Sequence, residues 1–112
     1  MSRHAPKILI FLFIFAFYTA SWAGDAYWVD VRTAEEYEKG HVSQAVNIPY
    51  EELATRITEV TADKDAVIYL YCRSGRRADI AKEALEARGY SQVINLETLE
   101  NARKQAAEPA GR

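Results

Sequence analysis

The sequence predicts an α/β protein built on a mostly parallel sheet. Three observations predict it. Short apolar runs of strand length alternate with stretches of helical spacing, joined by short links, and that alternation is the signature of βαβ units. The run Val67 to Tyr71 is β-branched and aromatic with no polar alternation, as expected of a strand buried on both faces. A helical pattern opens at Arg76, within a few residues of that run, and stops at Gly89, a C-terminal signal.

The elements follow in chain order. Arg3 and Lys7 precede an unbroken apolar run, Ile8 to Tyr18, and a small-residue site, Ser21-Trp22-Ala23. Residues 1–23 are therefore read as a secretory signal peptide cleaved after Ala23. The apolar run is shorter than the roughly 20 residues of a spanning helix; an uncleaved anchor is the competing reading, and no stable membrane insertion is expected after cleavage. Tyr27 to Val31 is a short apolar strand interrupted by Asp30. Thr33-Ala-Glu-Glu36 has capping-box form and opens a short helix that ends at Gly40. Ala45 to Ile48 is a second strand, closed by Pro49. Leu53, Ile57 and Val60 recur at helical spacing, which predicts a helix over roughly 50–60. Residues 66–72 form the buried strand and 76–88 a helix with a narrow face of Ala81, Ala84 and Leu85. Val93 to Leu96 is the last strand, a helix runs from about 99 to 106, and 108–112 is expected to fray.

Charge and cysteine content narrow the function. Cleavage at Ala23 lowers Lys plus Arg from 14 to 12 against 16 Asp plus Glu, a net charge of about −4 on about 89 residues. An acidic domain of that size holds one small core and is a poor match to nucleic acid. The chain has a single cysteine, so no intramolecular disulfide is possible, although exported domains of this size often lean on them. His41 is the one histidine outside residues 1–23 and has no companion at ligand spacing, so no metal is expected.

Cys72 is the candidate nucleophile. It stands at the carboxyl end of its strand, where parallel α/β sheets bind ligands. Ser74 and Gly75 supply a tight turn and a helix N-cap. The turn and helix N-terminus offer backbone N–H groups, and Arg73, Arg76 and Arg77 add positive charge. A thiol in that field gives up its proton readily, because the thiolate is the form stabilised. An inert core cysteine is the ordinary alternative; the three arginines and the turn argue against it. The reading requires Cys72 at the end of a central parallel strand, open to solvent.

Two motifs carry a family likeness. The first is Trp28-Val-Asp-Val-Arg32, followed by Glu36-Tyr37, Gly40-His41-Val42, Ala45 and Asn47-Ile48-Pro49; the second is Cys72-Arg-Ser-Gly75-Arg-Arg77. Over residues 27–96 the chain resembles the rhodanese family of sulfurtransferases. The resemblance implies a small three-layer domain over 24–112 with a central sheet of about four strands. It also implies an exported, periplasmic thiosulfate sulfurtransferase. Cys72 would be the nucleophile that carries a persulfide. Arg73, Ser74, Gly75, Arg76 and Arg77 would cradle the anionic donor. Cyanide or a thiol would accept the sulfur, with no cofactor and with a monomeric chain. Asp30, Arg32, Glu36 and His41 belong to the family motif but are assigned structural roles. One departure stands out: many members carry a Gly-Gly pair after the last strand, where this chain has Asn95-Leu-Glu-Thr98.

Three other functions compete. A persulfide relay with a dedicated protein partner would use the same Cys72. A cysteine-dependent phosphatase or arsenate reductase would need an arginine at position 78, which is Ala78. A non-catalytic rhodanese-like module would not need Cys72.

Overall fold

A computed structural model describes residues 26–108; the expected signal peptide, its cleavage site and residues 109–112 lie outside the described residues. The elements are β1 (Ala26–Asp30), α1 (Ala34–Glu38), β2 (Val46–Asn47), α2 (Leu53–Arg56) with a 3-10 turn at Ile57–Glu59, β3 (Val67–Cys72), α3 (Arg76–Ala87), β4 (Gln92–Thr98) and α4 (Leu99–Gln105). The four strands form one parallel sheet in the order β2-β1-β3-β4.

Strand alternation divides the core into two layers. On one face, Val29 and Val31 of the β1 stretch join Ile68, Leu70 and Cys72 of β3. Leu53 and Ile57 from the α2 stretch and Ala78, Ala81 and Leu85 from α3 cover them. On the other face, Trp28 and Tyr71 pack with Val42, Ala45 and Ala102 of α4, flanked by Tyr37 and Leu99. The sheet is thus covered on both sides, which is why β3 shows no polar alternation. The small residues of α3 let its backbone lie close to the strands. Ala78, Ala81 and Leu85 are its buried positions; Ala84, expected on that face, is half-buried.

Local chemistry explains most boundaries. Thr33 Oγ1 accepts from Glu36 N–H at 3.2 Å, and Glu36 Oε1 accepts from Thr33 N–H at 3.0 Å, the reciprocal capping box expected of this sequence. At the far end of α3, Gly89 takes a φ of +95°, which a glycine adopts without the Cβ penalty.

Three expectations are corrected. The helix over 50–60 is only one turn of α-helix followed by 3-10; apolar spacing of 3 and 4 does not distinguish one long helix from these two short turns. The last strand is longer than Val93 to Leu96: it runs to Thr98 through a bulge opposite Leu70 and Cys72, with Glu97 at a φ of +79°. Glu108 is not loose: its carboxylate accepts from Ser43 N–H at 2.8 Å and Ser43 Oγ at 2.9 Å.

Candidate active site

Cys72 is the last residue of β3, a strand with neighbours on both sides, and α3 begins four residues later. The loop between them turns back on the sulfur. Gly75 N–H donates to Cys72 Sγ at 3.0 Å. Gly75 can do so because its φ is +102°, a left-handed conformation that disfavours side chains. Gly75 is also the N-cap of α3, with no side-chain cap, so Ser74 does not fill that role. The first helical bond runs from Asp79 N–H to Gly75 O at 2.9 Å. The N–H groups of Arg76, Arg77 and Ala78 therefore precede the helical ladder and have no intrahelical acceptor.

The thiol is not open to solvent. Cys72 is 1 % exposed and packs with the α2/α3 face of the core, against the expectation of an accessible site. The physical reason is the turn itself: the amide that binds the sulfur also draws the loop over it. Arg73 and Ser74 of that loop are exposed while Gly75 is buried.

The arginines divide. Arg76 is exposed. Arg77 is half-buried and gives both Nη1 and Nη2 to Glu36, at 2.9 and 3.1 Å. Arg73 is mostly exposed, with Nη1 3.9 Å from Glu36 Oε2. Glu36, read from sequence as a cap alone, thus also ties α1 to the cysteine loop. Arg77 has its pKa raised, chiefly by the Glu36 hydrogen bonds, with Cys72 among the lesser contributors.

The Arg77 hydrogen bonds hold the Glu36 carboxyl down at about 2; burial opposes this and Thr33 N–H assists. A carboxyl whose folded pKa lies below its unfolded value of 4.5 gives stability that is complete above that value and lost as pH falls through about 2. The pair is partly exposed, so screening leaves about 1–2 kcal/mol. Urea titrations at pH 5 and pH 2.5 are expected to show wild type losing more stability over that interval than Glu36→Gln. Equal losses would show that the pair contributes nothing.

Two further residues touch the loop, and neither is among the sequence-derived site residues. Asn95 Nδ2 donates to Gly75 O at 2.9 Å, and Asn95 Oδ1 accepts from Glu97 N–H at 2.8 Å. A Cβ built on Gly75 would meet Glu97 Cγ at 3.1 Å and its Cβ at 3.3 Å, so Glu97 lies against the loop. A non-glycine residue at that φ stores about 1–3 kcal/mol of strain. The signal available in sequence was the polar stretch Asn95 to Thr98 in place of glycines.

Asp30, Arg32 and His41 are structural. Asp30 is fully buried and takes Arg32 Nε and Nη2 at 2.9 and 2.6 Å; Arg32 Nη2 also donates to Gly40 O at 2.7 Å. Burial is the largest single influence and works against the Arg32 charge, yet the Asp30 hydrogen bonds together with attraction to Asp30 and its neighbours leave the pKa raised. His41 stacks on Tyr37 with ring centroids 3.6 Å apart.

Fold and site together define a small parallel α/β protein with a cysteine loop at the carboxyl edge of its sheet. A family model described as "Rhodanese-like domain" matches residues 16–98, beginning inside the expected signal peptide. The chain belongs to the rhodanese family. It is 42 % identical over 69 residues to the thiosulfate sulfurtransferase PspE of Escherichia coli (strain K12), an alignment covering 62 % of this chain and 66 % of that one. It is 40 % identical over 68 residues to the putative sulfur carrier protein YrkF of Bacillus subtilis (strain 168), covering 61 % of this chain and 36 % of the relative. The chain thus spans about two thirds of the first of these relatives and about a third of the second. Among solved structures, one described as "rhodanese with anions from E. coli" superposes with a TM-score of 0.67 at 39 % identity, covering 76 % of this chain and 95 % of that one.

Proposed function

We propose that this chain is an exported sulfurtransferase that takes the outer sulfur of thiosulfate onto Cys72 and passes it to cyanide or a thiol. The observation that carries the reading is the Gly75 N–H on the Cys72 sulfur at the carboxyl end of a central parallel strand. An amide aimed at sulfur, beside a helix N-terminus, stabilises the nucleophilic thiolate.

The reaction balances in two steps. The Cys72 thiolate attacks the outer sulfur, a new S–S bond forms, the S–S bond of thiosulfate breaks, and sulfite leaves with the electron pair. Cyanide then attacks the terminal sulfur of the persulfide, thiocyanate departs, and Cys72 is returned as thiolate. Arg73, Ser74, Gly75, Arg76 and Arg77 form the wall of the donor site. Arg73 and Arg76 supply exposed positive charge, Ser74 a hydroxyl, and the start of α3 its N–H groups. Arg77, held by Glu36, contributes mainly by its field and by anchoring the loop. Because Cys72 is 1 % exposed, the donor has to reach the sulfur past the exposed residues Arg73 and Ser74 while Gly75 N–H stays on it.

The likeness to a thiosulfate sulfurtransferase and to a rhodanese described with anions supports this donor class. The likeness to a putative sulfur carrier supports a second reading, in which a partner protein is the obligatory acceptor. Purified protein incubated with thiosulfate and cyanide alone separates them: thiocyanate should accumulate over many turnovers. Persulfide formation without turnover until a protein acceptor is added would establish the carrier reading instead. Residues 1–23 support export with cleavage after Ala23; protein recovered from the cell envelope should begin at Gly24, and an N-terminus at Met1 there would defeat the cleavage. No helix among the described residues is long and apolar enough to cross a membrane.

A further inference from the structure

We infer that Glu97 is a charge-selecting residue of the donor site, disfavouring doubly charged sulfur donors relative to singly charged organic ones. The inference rests on the sulfurtransferase reading above. Its basis is the end of β4. One extra residue lies between the Leu70–Asn95 and Cys72–Thr98 pairings, and bulges of this kind re-aim side chains beside active sites. Glu97 is placed against Gly75 by this bulge, in a backbone conformation unfavourable for any residue with a side chain. Asn95 holds it there, bonding Glu97 N–H on one side and the Gly75 carbonyl on the other.

The geometry brings the Glu97 side chain against the loop that holds the sulfur. Gly75 N lies 3.0 Å from Cys72 Sγ, and the Cβ position of Gly75 lies 3.1 Å from Glu97 Cγ. With the covalent bonds between and those from Cγ to the carboxylate oxygens added, Sγ and the Glu97 carboxylate are separated by at most about 11 Å. That is well inside the Debye length of about 30 Å at 0.01 M salt, so the charge is felt most at low ionic strength. The favourable charges are partly neutralised already, since Arg77 and Arg73 both face Glu36. Beyond Glu97 an open groove of about 430 Å³ runs between β4 and α4, lined by Leu96, Asn101 and Lys104 among others.

Coulomb energy is linear in donor charge, so the penalty on a dianion is twice that on a monoanion, and the corresponding rate factor is its square. This separates a charge role from a steric one. The probes are thiosulfate, a dianion, and benzenethiosulfonate, a monoanion. Both deliver the same outer sulfur to Cys72; the broken S–S bond leaves as sulfite from one and as benzenesulfinate from the other. Glu97→Gln is expected to raise kcat/KM about 4-fold for thiosulfate and about 2-fold for benzenethiosulfonate at low salt, and the two factors should converge toward 1 as salt rises. Glu97→Asn, which tolerates the left-handed backbone better, should give the same pattern and guards against a local folding defect. Equal factors for the two donors, or no change in either, would overturn the role of Glu97 while leaving the sulfurtransferase reading intact. A wild type that accepts sulfur from neither donor would overturn both.

Discussion

Cys72→Ser is expected to abolish sulfur transfer while leaving the protein folded. Wild type exposed to thiosulfate should gain about 32 Da, one sulfur atom, on the peptide containing Cys72. The variant should gain nothing, and its turnover should fall at least ~1,000-fold, because a serine alkoxide is inaccessible at neutral pH. Stability should change far less. The side chain is 1 % exposed on an apolar face, so a hydroxyl there costs about 1–2 kcal/mol at most, offset in part by the Gly75 N–H it can still accept. Mass spectrometry with a urea titration checks both halves. An adduct on the variant, or full activity without the thiol, would remove Cys72 from the mechanism.

Asp30→Ala is expected to be the most destabilising substitution in the first motif, by about 3–5 kcal/mol. Asp30 is fully buried and accepts from Arg32 N, Nε and Nη2; without it the Arg32 guanidinium keeps only the Gly40 carbonyl and the face of Tyr71, 5.5 Å from the ring centroid. An unpaired buried cation is the costly state. Set against a typical 5–15 kcal/mol for a whole domain, the loss is large. Replacing both partners, as in Asp30→Leu with Arg32→Met, should recover part of it, since the pair's value lies largely in being complete. Denaturant midpoints of the single and double variants measure this; a single-variant loss below 1 kcal/mol would show that solvent relieves the orphaned charge.

These two residues illustrate how differently the sequence speaks. Cys72 was legible as a candidate site because its signals are local: a buried strand, a tight turn and three arginines within six residues. Asp30 and Arg32 were legible as structural because their spacing of two puts both at one strand end. The capping box, the parallel sheet and the length of α3 followed from the same kind of short-range pattern, which backbone geometry and burial of alternate faces translate directly into structure.

What tertiary structure alone decided are contacts between groups far apart in the chain. Glu36 meets Arg77 across 41 residues, and Asn95 meets Gly75 across 20; both tie a neighbouring element to the cysteine loop. The enclosure of Cys72 belongs with them. Periodicity assigns a side chain to a face, but whether a loop folds over it depends on a positive φ at Gly75 and on the Glu97 bulge pressing against it. The sequence by itself determined the α/β class and the parallel strands, and it singled out the candidate nucleophile. The tertiary structure decided which arginines stay exposed, how the thiol is covered and that Glu97 lies against its loop, because those depend on long-range packing that no local pattern encodes.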